Sequence, residues 1–195
     1  LIGQGADASA VRLTVPAAAD ALRVKSANVH VAKLWVDGGK RGVFALGGAD
    51  GLELQNVTVT NSAAEGIAID LAADVAIRGC IVTGAASTGI SSRRAAGLII
   101  RDTDVYANQA SGVFIRKGDA ELSFLTVHAN AGRGVRSLGA DVHLHDGIVS
   151  NNGGAAVFVR GAKPFALDHM LLFGNASGVN DDTPPVIVQS GPATS

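Results

Sequence analysis

The chain has 195 residues and a formal net charge of −1, and 47% of its residues are hydrophobic while only 4% are aromatic. This length suits one domain with a continuous core, and the near-neutral charge disfavours nucleic acid as a partner, because nucleic-acid binding depends on clustered cationic charge. No apolar run approaches the roughly 20 residues needed to cross a bilayer, so we expect no membrane span. The one cysteine, Cys80, can form no disulfide within the chain.

One pattern of alternating apolar residues recurs along nearly the whole chain. Its copies, in chain order, are VHVAKLWV from Val29, LELQNVTV from Leu52, VAIRGCIV from Val75, LIIRDTDV from Leu98, AELSFLTV from Ala120, VHLHDGIV from Val142 and FALDHMLL from Phe165. Successive copies begin 22 or 23 residues apart. Such a fixed spacing indicates a solenoid, in which each repeat stacks on its neighbours.

A second short element lies between these copies, with a small residue followed by an apolar, a variable and an apolar residue. It reads ALRV from Ala21, GVFA from Gly42, GIAI from Gly66, GISS from Gly89, GVFI from Gly112, GVRS from Gly134 and AVFV from Ala156. Each repeat therefore contains three short strands separated by turns rich in Gly, Asn, Ser and Asp. Because no Asn-Gly hairpin joins them, the pattern predicts an all-β, right-handed parallel β-helix of about eight coils.

The β-helix is expected to occupy residues 1–180. Residues 181–195 include Pro184 and Pro185 and break the repeat, so we expect a C-terminal cap strand and a tail there. Residues 1–5 offer no polar cap, which favours a module of a longer protein with a neighbouring domain or subunit at the open ends.

Residues at like positions should stack along the solenoid about 4.8 Å apart. One interior ladder is predicted to contain Val36, Val59, Val82, Val105, Val127, Val149 and Leu172. A turn ladder is predicted to contain Asn108, Asn130, Asn152 and Asn175, whose amides can bond along the stack. Cys80 falls at an interior position and is expected to be a small buried apolar residue.

The elements NVTVTN, from Asn56, and SGVFI, from Ser111, resemble the generic repeat of the pectin lyase-like superfamily over residues 11–179. The resemblance implies the β-helix fold but no single activity, since lyases, hydrolases, epimerases and adhesins share it. In the polygalacturonase branch, the resemblance implies, catalytic carboxylates precede the Gly-apolar strand in consecutive coils. Here only Glu65 is acidic at those positions, which disfavours hydrolysis by two carboxylates. Asp102 and Asp104, in DTD, are expected to cap backbone N–H groups in a turn.

The outer face of the Gly-apolar strand is the first candidate site. Its solvent-facing ladder is predicted to contain Arg23, Phe44, Ala68, Ser91, Phe114, Arg136 and Phe158. The ladder two residues further on includes Asp70, Arg93, Arg116 and Arg160. Guanidinium groups beside exposed Phe rings suit a polysaccharide with carboxylates or sulfates. We therefore predict ligand-binding roles for Arg93, Phe114, Arg116, Arg136, Phe158 and Arg160; the alternative is that a loop, domain or subunit covers this face.

The second candidate site is a cluster in the late coils. The alignment stacks Asp168 over His145 and His169 over Asp146, with His143 on the same face as His145. These groups, one rung of about 5 Å apart, could serve as an acid–base pair or bind a divalent metal; the alternative is a set of solvent-facing charge pairs. No zinc spacing or calcium-loop motif is present, so neither a metal nor a cofactor is predicted.

Three functional hypotheses remain. The preferred one is a secreted or surface-exposed module, of bacterial type, that binds anionic polysaccharide along the Arg and Phe ladder. The second is a lyase or C5-epimerase of uronate polymers, with His143, His145, Asp146, Asp168 and His169 as catalytic candidates. The third is a structural or adhesin solenoid without catalysis. Coils of regular length favour binding or structure, because active sites usually need insertions.

Overall fold

The computed structural model describes residues 11–181 and 187–190, which contain strands and no helix. The strands are β1 (Arg12–Val15), β2 (Leu22–Val24), β3 (His30–Gly38), β4 (Val43–Ala45), β5 (Glu53–Thr60), β6 (Ile67–Asp70), β7 (Ala76–Arg78), β8 (Ile81–Thr83), β9 (Ile90–Arg101), β10 (Asp104–Tyr106), β11 (Val113–Ser123), β12 (Thr126–His128), β13 (Val135–Leu138), β14 (Asp141–His145), β15 (Ile148–Ser150), β16 (Ala155–Arg160), β17 (Phe165–Asp168), β18 (Leu171–Phe173), β19 (Ser177–Asp181) and β20 (Ile187–Ser190). None of the described residues thus belongs to a helix that could span a bilayer.

Every described strand pairs in parallel with its equivalent in a neighbouring coil, which gives a right-handed β-solenoid of about seven turns. The first sheet contains β7, β14, β17 and β20, the second β1, β8, β10, β12, β15 and β18, and the third β2, β4, β6, β13, β16 and β19. The fold predicted from the repeat is confirmed. The structure adds β20, which continues the first sheet beyond β17.

Several coils have longer strands than the three short ones predicted. β3 and β5 run from the first sheet into the second, whereas β9 and β11 run from the third sheet into the first. Each bend between the first and second sheets is one residue with left-handed backbone, at Lys33, Asn56, Gly79, Asp102, Phe124, Asp146 and His169. In β3 and β5 the strand passes through this corner, whereas in the other coils one strand ends before the left-handed residue and the next begins after it.

The predicted interior ladder is confirmed by the register of the second sheet. Val36, Val59, Val82, Val105, Val127 and Val149 are fully buried and stack in that order, ending on the half-buried Leu172. Burial of one such side chain contributes about 2 kcal/mol. The core is therefore a stack of thin aliphatic layers, which explains how a chain with few aromatic residues fills its interior.

The predicted Asn ladder is also confirmed. The Nδ2 of Asn108 donates to Oδ1 of Asn130 at 2.8 Å, that of Asn130 to Asn152 at 2.9 Å, and that of Asn152 to Asn175 at 2.8 Å. Gly112 lies beside this ladder, where an added Cβ would come within 2.8 Å of the Asn130 amide. The nearest atom to such a Cβ is Cγ1 of Val127, which would be closer still, so glycine at this position leaves room for both the interior ladder and the Asn ladder.

The predicted end regions lie partly outside the described residues. β20 falls in the segment where a cap strand was expected and pairs with β17. Residues 1–10, which include the first five considered above, and residues 182–186, which include Pro184 and Pro185, lie outside the described part, as do 191–195. The division at residue 180 stays a prediction.

Candidate functional site

The cations of the third sheet form one strip along its outer face. The predicted stacking order of this ladder is confirmed, because Phe114 pairs with Arg136 and Arg136 with Phe158, but Ala68 and Ser91, which were predicted to face solvent, are buried. In the neighbouring column Arg93 pairs with Arg116, which is followed by Leu138 and Arg160. We call this set the Arg strip; it contains Arg93, Arg116, Arg133, Arg136 and Arg160. Arg133 is the member that the sequence analysis missed.

Most of the Arg strip lacks a carboxylate partner. Arg93 lies 3.5 Å from Oε1 of Glu65, but within the part of the chain that the structure describes no acidic side chain forms an ion pair with the other four members. Such unneutralised charge on one face attracts anions.

Arg136 is the central cation of the Arg strip. Its Nε is buried and has no hydrogen-bond partner among the described residues. Burial lowers the pKa of its guanidinium, and the charges of Arg133, Arg116 and Arg160 lower it further. An unsatisfied donor surrounded by like charges is unfavourable, and an oxyanion placed there would relieve both effects.

The prediction that the Phe rings of this face are exposed is wrong for Phe44 and Phe158, each only 7% exposed. Arg41 lies over the Phe44 ring at 3.4 Å from its centroid, and Arg133 over the Phe158 ring at 4.2 Å. Phe114 is half-buried with Arg136 4.8 Å above it. Because an arginine stem and a planar guanidinium cover a ring well, these side chains present charge to solvent in place of the ring.

A cavity of about 290 Å³ lies at the edge of the Arg strip, lined by Asp70, Arg93, Arg94, Arg116 and Lys117. The sequence analysis missed Arg94 and Lys117. The signal for both was present, because Arg-Arg at 93–94 and Arg-Lys at 116–117 are basic pairs one coil apart. This set is called the corner pocket below.

The second candidate, to be called the His–Asp cluster, comprises His143, His145, Asp146, Asp168 and His169. The structure brings it together on the first sheet, where Nε2 of His143 lies 2.8 Å from Oδ2 of Asp168 and Nδ1 of His145 lies 2.8 Å from Oδ2 of Asp146. The rings of His143 and His145 are 4.4 Å apart, and Nδ1 of His169 is 3.9 Å from Asp146 Oδ1. The predicted stacking of Asp168 over His145 is confirmed.

The members of the His–Asp cluster largely satisfy one another. The hydrogen bond with His145 lowers the pKa of the Asp146 carboxyl, and the charges of the three imidazoles act in the same direction. Among the described residues no group of three or more His, Cys, Asp or Glu side chains is arranged to hold a metal ion. Among the described residues, Oδ1 of Asp168 is the one buried atom of the cluster without a hydrogen-bond partner.

Other sequence predictions have separate outcomes. Asp102 is a corner residue, as expected of a turn, but its carboxylate accepts from Nε of Arg101 at 3.1 Å instead of capping a backbone N–H. Asp104 faces outward between Ile81 and Thr126 in the second sheet. Cys80 is 1% exposed, and burial raises the pKa of its thiol to about 11, so it behaves as the predicted apolar residue.

Comparisons with known proteins agree with the architecture. A family model described as "Right handed beta helix region" matches residues 27–184. The solved structure of the periplasmic alginate epimerase AlgG aligns with a TM-score of 0.63 at 15% identity, covering 82% of this chain and 49% of AlgG. A doubly substituted form of AlgG aligns with a TM-score of 0.72 at 15% identity, covering 91% of this chain and 46% of that one.

The A-module of the Azotobacter vinelandii mannuronan C-5 epimerase AlgE4 aligns with a TM-score of 0.51 at 15% identity, covering 84% of this chain and 64% of the module. At this identity these likenesses establish the fold alone. The chain spans about half the length of AlgG. No curated protein matches the sequence significantly.

Proposed function

The chain belongs to the right-handed β-helix family, and from that premise we propose that it is a module that binds an anionic polysaccharide along the Arg strip. The observation that carries the proposal is a set of four guanidiniums, those of Arg116, Arg133, Arg136 and Arg160, none of which forms an ion pair with a residue that the structure describes. Within the same part of the chain the buried Nε of Arg136 has no hydrogen-bond partner. A guanidinium group binds a carboxylate or sulfate through two parallel hydrogen bonds. Polysaccharides that carry these groups therefore match the Arg strip best in charge and geometry.

The spacing of the cations favours a linear polymer. Arg93, Arg116, Arg136 and Arg160 lie in four successive coils, and successive coils are about 4.8 Å apart along the solenoid axis. Arg136 lies in the column of Phe114, two residues before Leu138, which fills the column of the other three. A sugar ring in an extended chain is about as long as one rung is high. A polymer with one carboxylate on each sugar would therefore meet one cation per residue while running along the solenoid axis.

A second candidate function uses the His–Asp cluster. AlgG and the AlgE4 module, which share the fold, are named as epimerases of alginate or mannuronan, both uronate polymers. The imidazole of His143, hydrogen-bonded to Asp168 at 2.8 Å, has the arrangement of an oriented acid or base. Lyase or C5-epimerase action at this cluster is therefore the alternative, and a structural solenoid is the third.

Location follows from the proposed ligand. A module that binds long anionic polysaccharides meets them outside the cytoplasm, so we place it outside the cell or at its surface. The same proposal includes a neighbouring domain or subunit at an end of the solenoid, which would pack on a terminal coil.

The test is a glycan array followed by calorimetry with polygalacturonate and alginate at low and moderate salt. We expect salt-sensitive binding to uronate polymers that weakens at least about tenfold in Arg116→Gln. The matched control is Arg78→Gln, a cation on the first sheet. Equal loss in both variants, or no binding by the folded protein, would contradict the proposal.

Analysis of the polymer after incubation separates the two functions. Unsaturated products would support lyase activity, and a changed ratio of C5 epimers would support epimerase activity. Bound but unchanged polymer supports a binding module.

A further inference from the structure

The corner pocket extends the cationic surface around the edge of the third sheet. Arg94 and Lys117 directly follow Arg93 and Arg116, so two basic pairs are stacked one coil apart, with Asp70 below them. All four cationic side chains are exposed at the opening of the cavity. The pocket is continuous with the Arg strip because Arg93 and Arg116 belong to both.

The backbone at this corner does not call for long side chains. Arg94 and Lys117 have left-handed backbone, with φ of 56° and 59°. In the next two coils the same position holds Gly139 and Gly161, which adopt positive φ without steric strain. The conformation of the turn therefore does not explain why cationic residues occupy this corner.

The charges of the pocket are only partly neutralised. Arg94 lies 3.2 Å from Oδ1 of Asp70 and Arg93 lies 3.5 Å from Glu65, whereas Arg116 and Lys117 form no ion pair with any residue that the structure describes. Like charges on adjacent strands repel each other. An anion that bridges the two rungs would remove this repulsion and engage donors from both.

We propose that the corner pocket binds a tetrahedral oxyanion, a sulfate or phosphate group carried by a sugar. Such a group directs three oxygens in different directions, which matches donors that arrive from two rungs and from the corner. A planar carboxylate presents two oxygens in one plane, which a single Arg fork already satisfies. The cavity of about 290 Å³ exceeds the size of the ion and leaves room for the sugar that carries it.

The inference rests on the proposed function only for the polymer that would carry the group. The affinity of the pocket for the ion itself is independent of that function. The two ideas can therefore fail separately.

The first experiment follows backbone amide chemical shifts of the labelled protein during titration with sodium sulfate, sodium phosphate and sodium chloride at equal ionic strength. We expect saturable changes at residues 93–94 and 116–118 with sulfate or phosphate, weakened at least fivefold in Arg94→Gln/Lys117→Gln. Arg78→Gln/Arg101→Gln is the matched control pair on the first sheet. Unsaturable changes, equal changes with chloride, or an unaffected double variant would overturn the inference.

The second experiment compares glucose 6-sulfate, glucose 6-phosphate and glucuronate. Tighter binding of either ester than of glucuronate supports the pocket and identifies which oxyanion it prefers, whereas equal or tighter binding of glucuronate contradicts it.

Polygalacturonate then separates the two sites. Arg94→Gln/Lys117→Gln should retain its affinity within about threefold, while Arg136→Gln/Arg160→Gln should lose it and still bind sulfate. A protein that binds sulfate at the corner but no polygalacturonate sustains this inference and refutes the proposed function.

Discussion

The outer face of the third sheet has two halves that share one construction and differ in charge balance. In the N-terminal half Arg41 lies over Phe44 and binds the carboxylate of Asp20 through two hydrogen bonds, at 2.7 and 3.1 Å. In the C-terminal half Arg133 lies over the Phe158 ring of the following coil, but no carboxylate of a described residue binds it. The arginine that covers a Phe ring is thus neutralised by a carboxylate in the N-terminal half, whereas in the C-terminal half it has no carboxylate partner among the described residues.

The boundary between the halves runs through the corner pocket. Arg93 and Arg94 have Glu65 and Asp70 within ion-pair distance, and Arg116, in the next coil, is the first member of the Arg strip without such a partner. Surface ion pairs contribute little to stability, so their absence does not weaken the fold. The C-terminal half is therefore suited to an external anion, whereas the N-terminal half already supplies carboxylates for its stacked and corner arginines.

Removal of two unpaired cations should have the largest effect. Arg136→Gln/Arg160→Gln is expected to weaken polygalacturonate binding about a hundredfold at low salt, because two charge-assisted contacts are lost. Stability in urea should stay within about 0.5 kcal/mol, since the variant also relieves like-charge repulsion. Calorimetry and urea unfolding measure the two quantities, and a loss of stability without a loss of binding would contradict the account.

The two covered rings offer a matched pair. Phe44→Ala and Phe158→Ala should each cost about 3 kcal/mol in the free energy of unfolding, because each removes a ring that is 7% exposed. Only Phe158→Ala should also weaken polysaccharide binding, since it removes the support of Arg133. If both variants bind as the unaltered protein does, the ring and its Arg133 cover have no part in the site.

A new carboxylate should make the C-terminal half resemble the N-terminal half. Leu138 lies between Arg116 and Arg160 in their column, so Leu138→Glu places an anion among the unpaired cations. We expect binding to fall five- to tenfold and stability to change by less than about 1 kcal/mol. Leu138→Gln, the neutral control, should bind within about twofold of the unaltered protein; an equal loss in both would point to the lost leucine instead of the added charge.

A smaller effect concerns pH. Hydrogen bonds from Arg12, and next from Thr60 and Asn61, lower the pKa of the Asp37 carboxyl to about 2, below its ordinary 3.8. Because the folded-state pKa is the lower one, this contribution is complete above about pH 4 and is lost as the pH falls through 2. With allowance for solvent screening near the exposed Arg12, we expect about 1 kcal/mol between pH 5 and pH 2.

The measurement is urea unfolding at these two pH values, with Asp37→Asn as the control. The variant should lose less stability than the unaltered protein on acidification. This carboxylate lies in the N-terminal half on the second sheet, so the pH effect should leave sulfate binding at the corner pocket unchanged.

The repeat was enough to predict the fold and the stacking order. Asn130 and Val127 were placed correctly because a register that holds over 22 or 23 residues fixes which side chains become neighbours. The corner pocket was missed because the residue at this left-handed corner changes from coil to coil, although the basic pairs at 93–94 and 116–117 are visible in the sequence. Leu71, Arg94 and Gly139 all occupy this corner.

The exposure of the rings could not be predicted from alternation. Alternation says that Phe158 points outward, but whether a ring pointing outward is exposed depends on its long neighbours. Arg133, which lies before β13, covers this ring, and the spacing of residues in the sequence does not show that its side chain extends that far. Sequence patterns thus predict backbone stacking better than the conformations of long side chains.

The most direct test of the account maps a uronate oligosaccharide onto the labelled protein by amide chemical shifts. Binding along the Arg strip predicts saturable changes in residues 113–116, β13 and β16, with β14 and β17 unaffected. Changes confined to β14 and β17, which carry the His–Asp cluster, would contradict the account and assign the ligand to the alternative site.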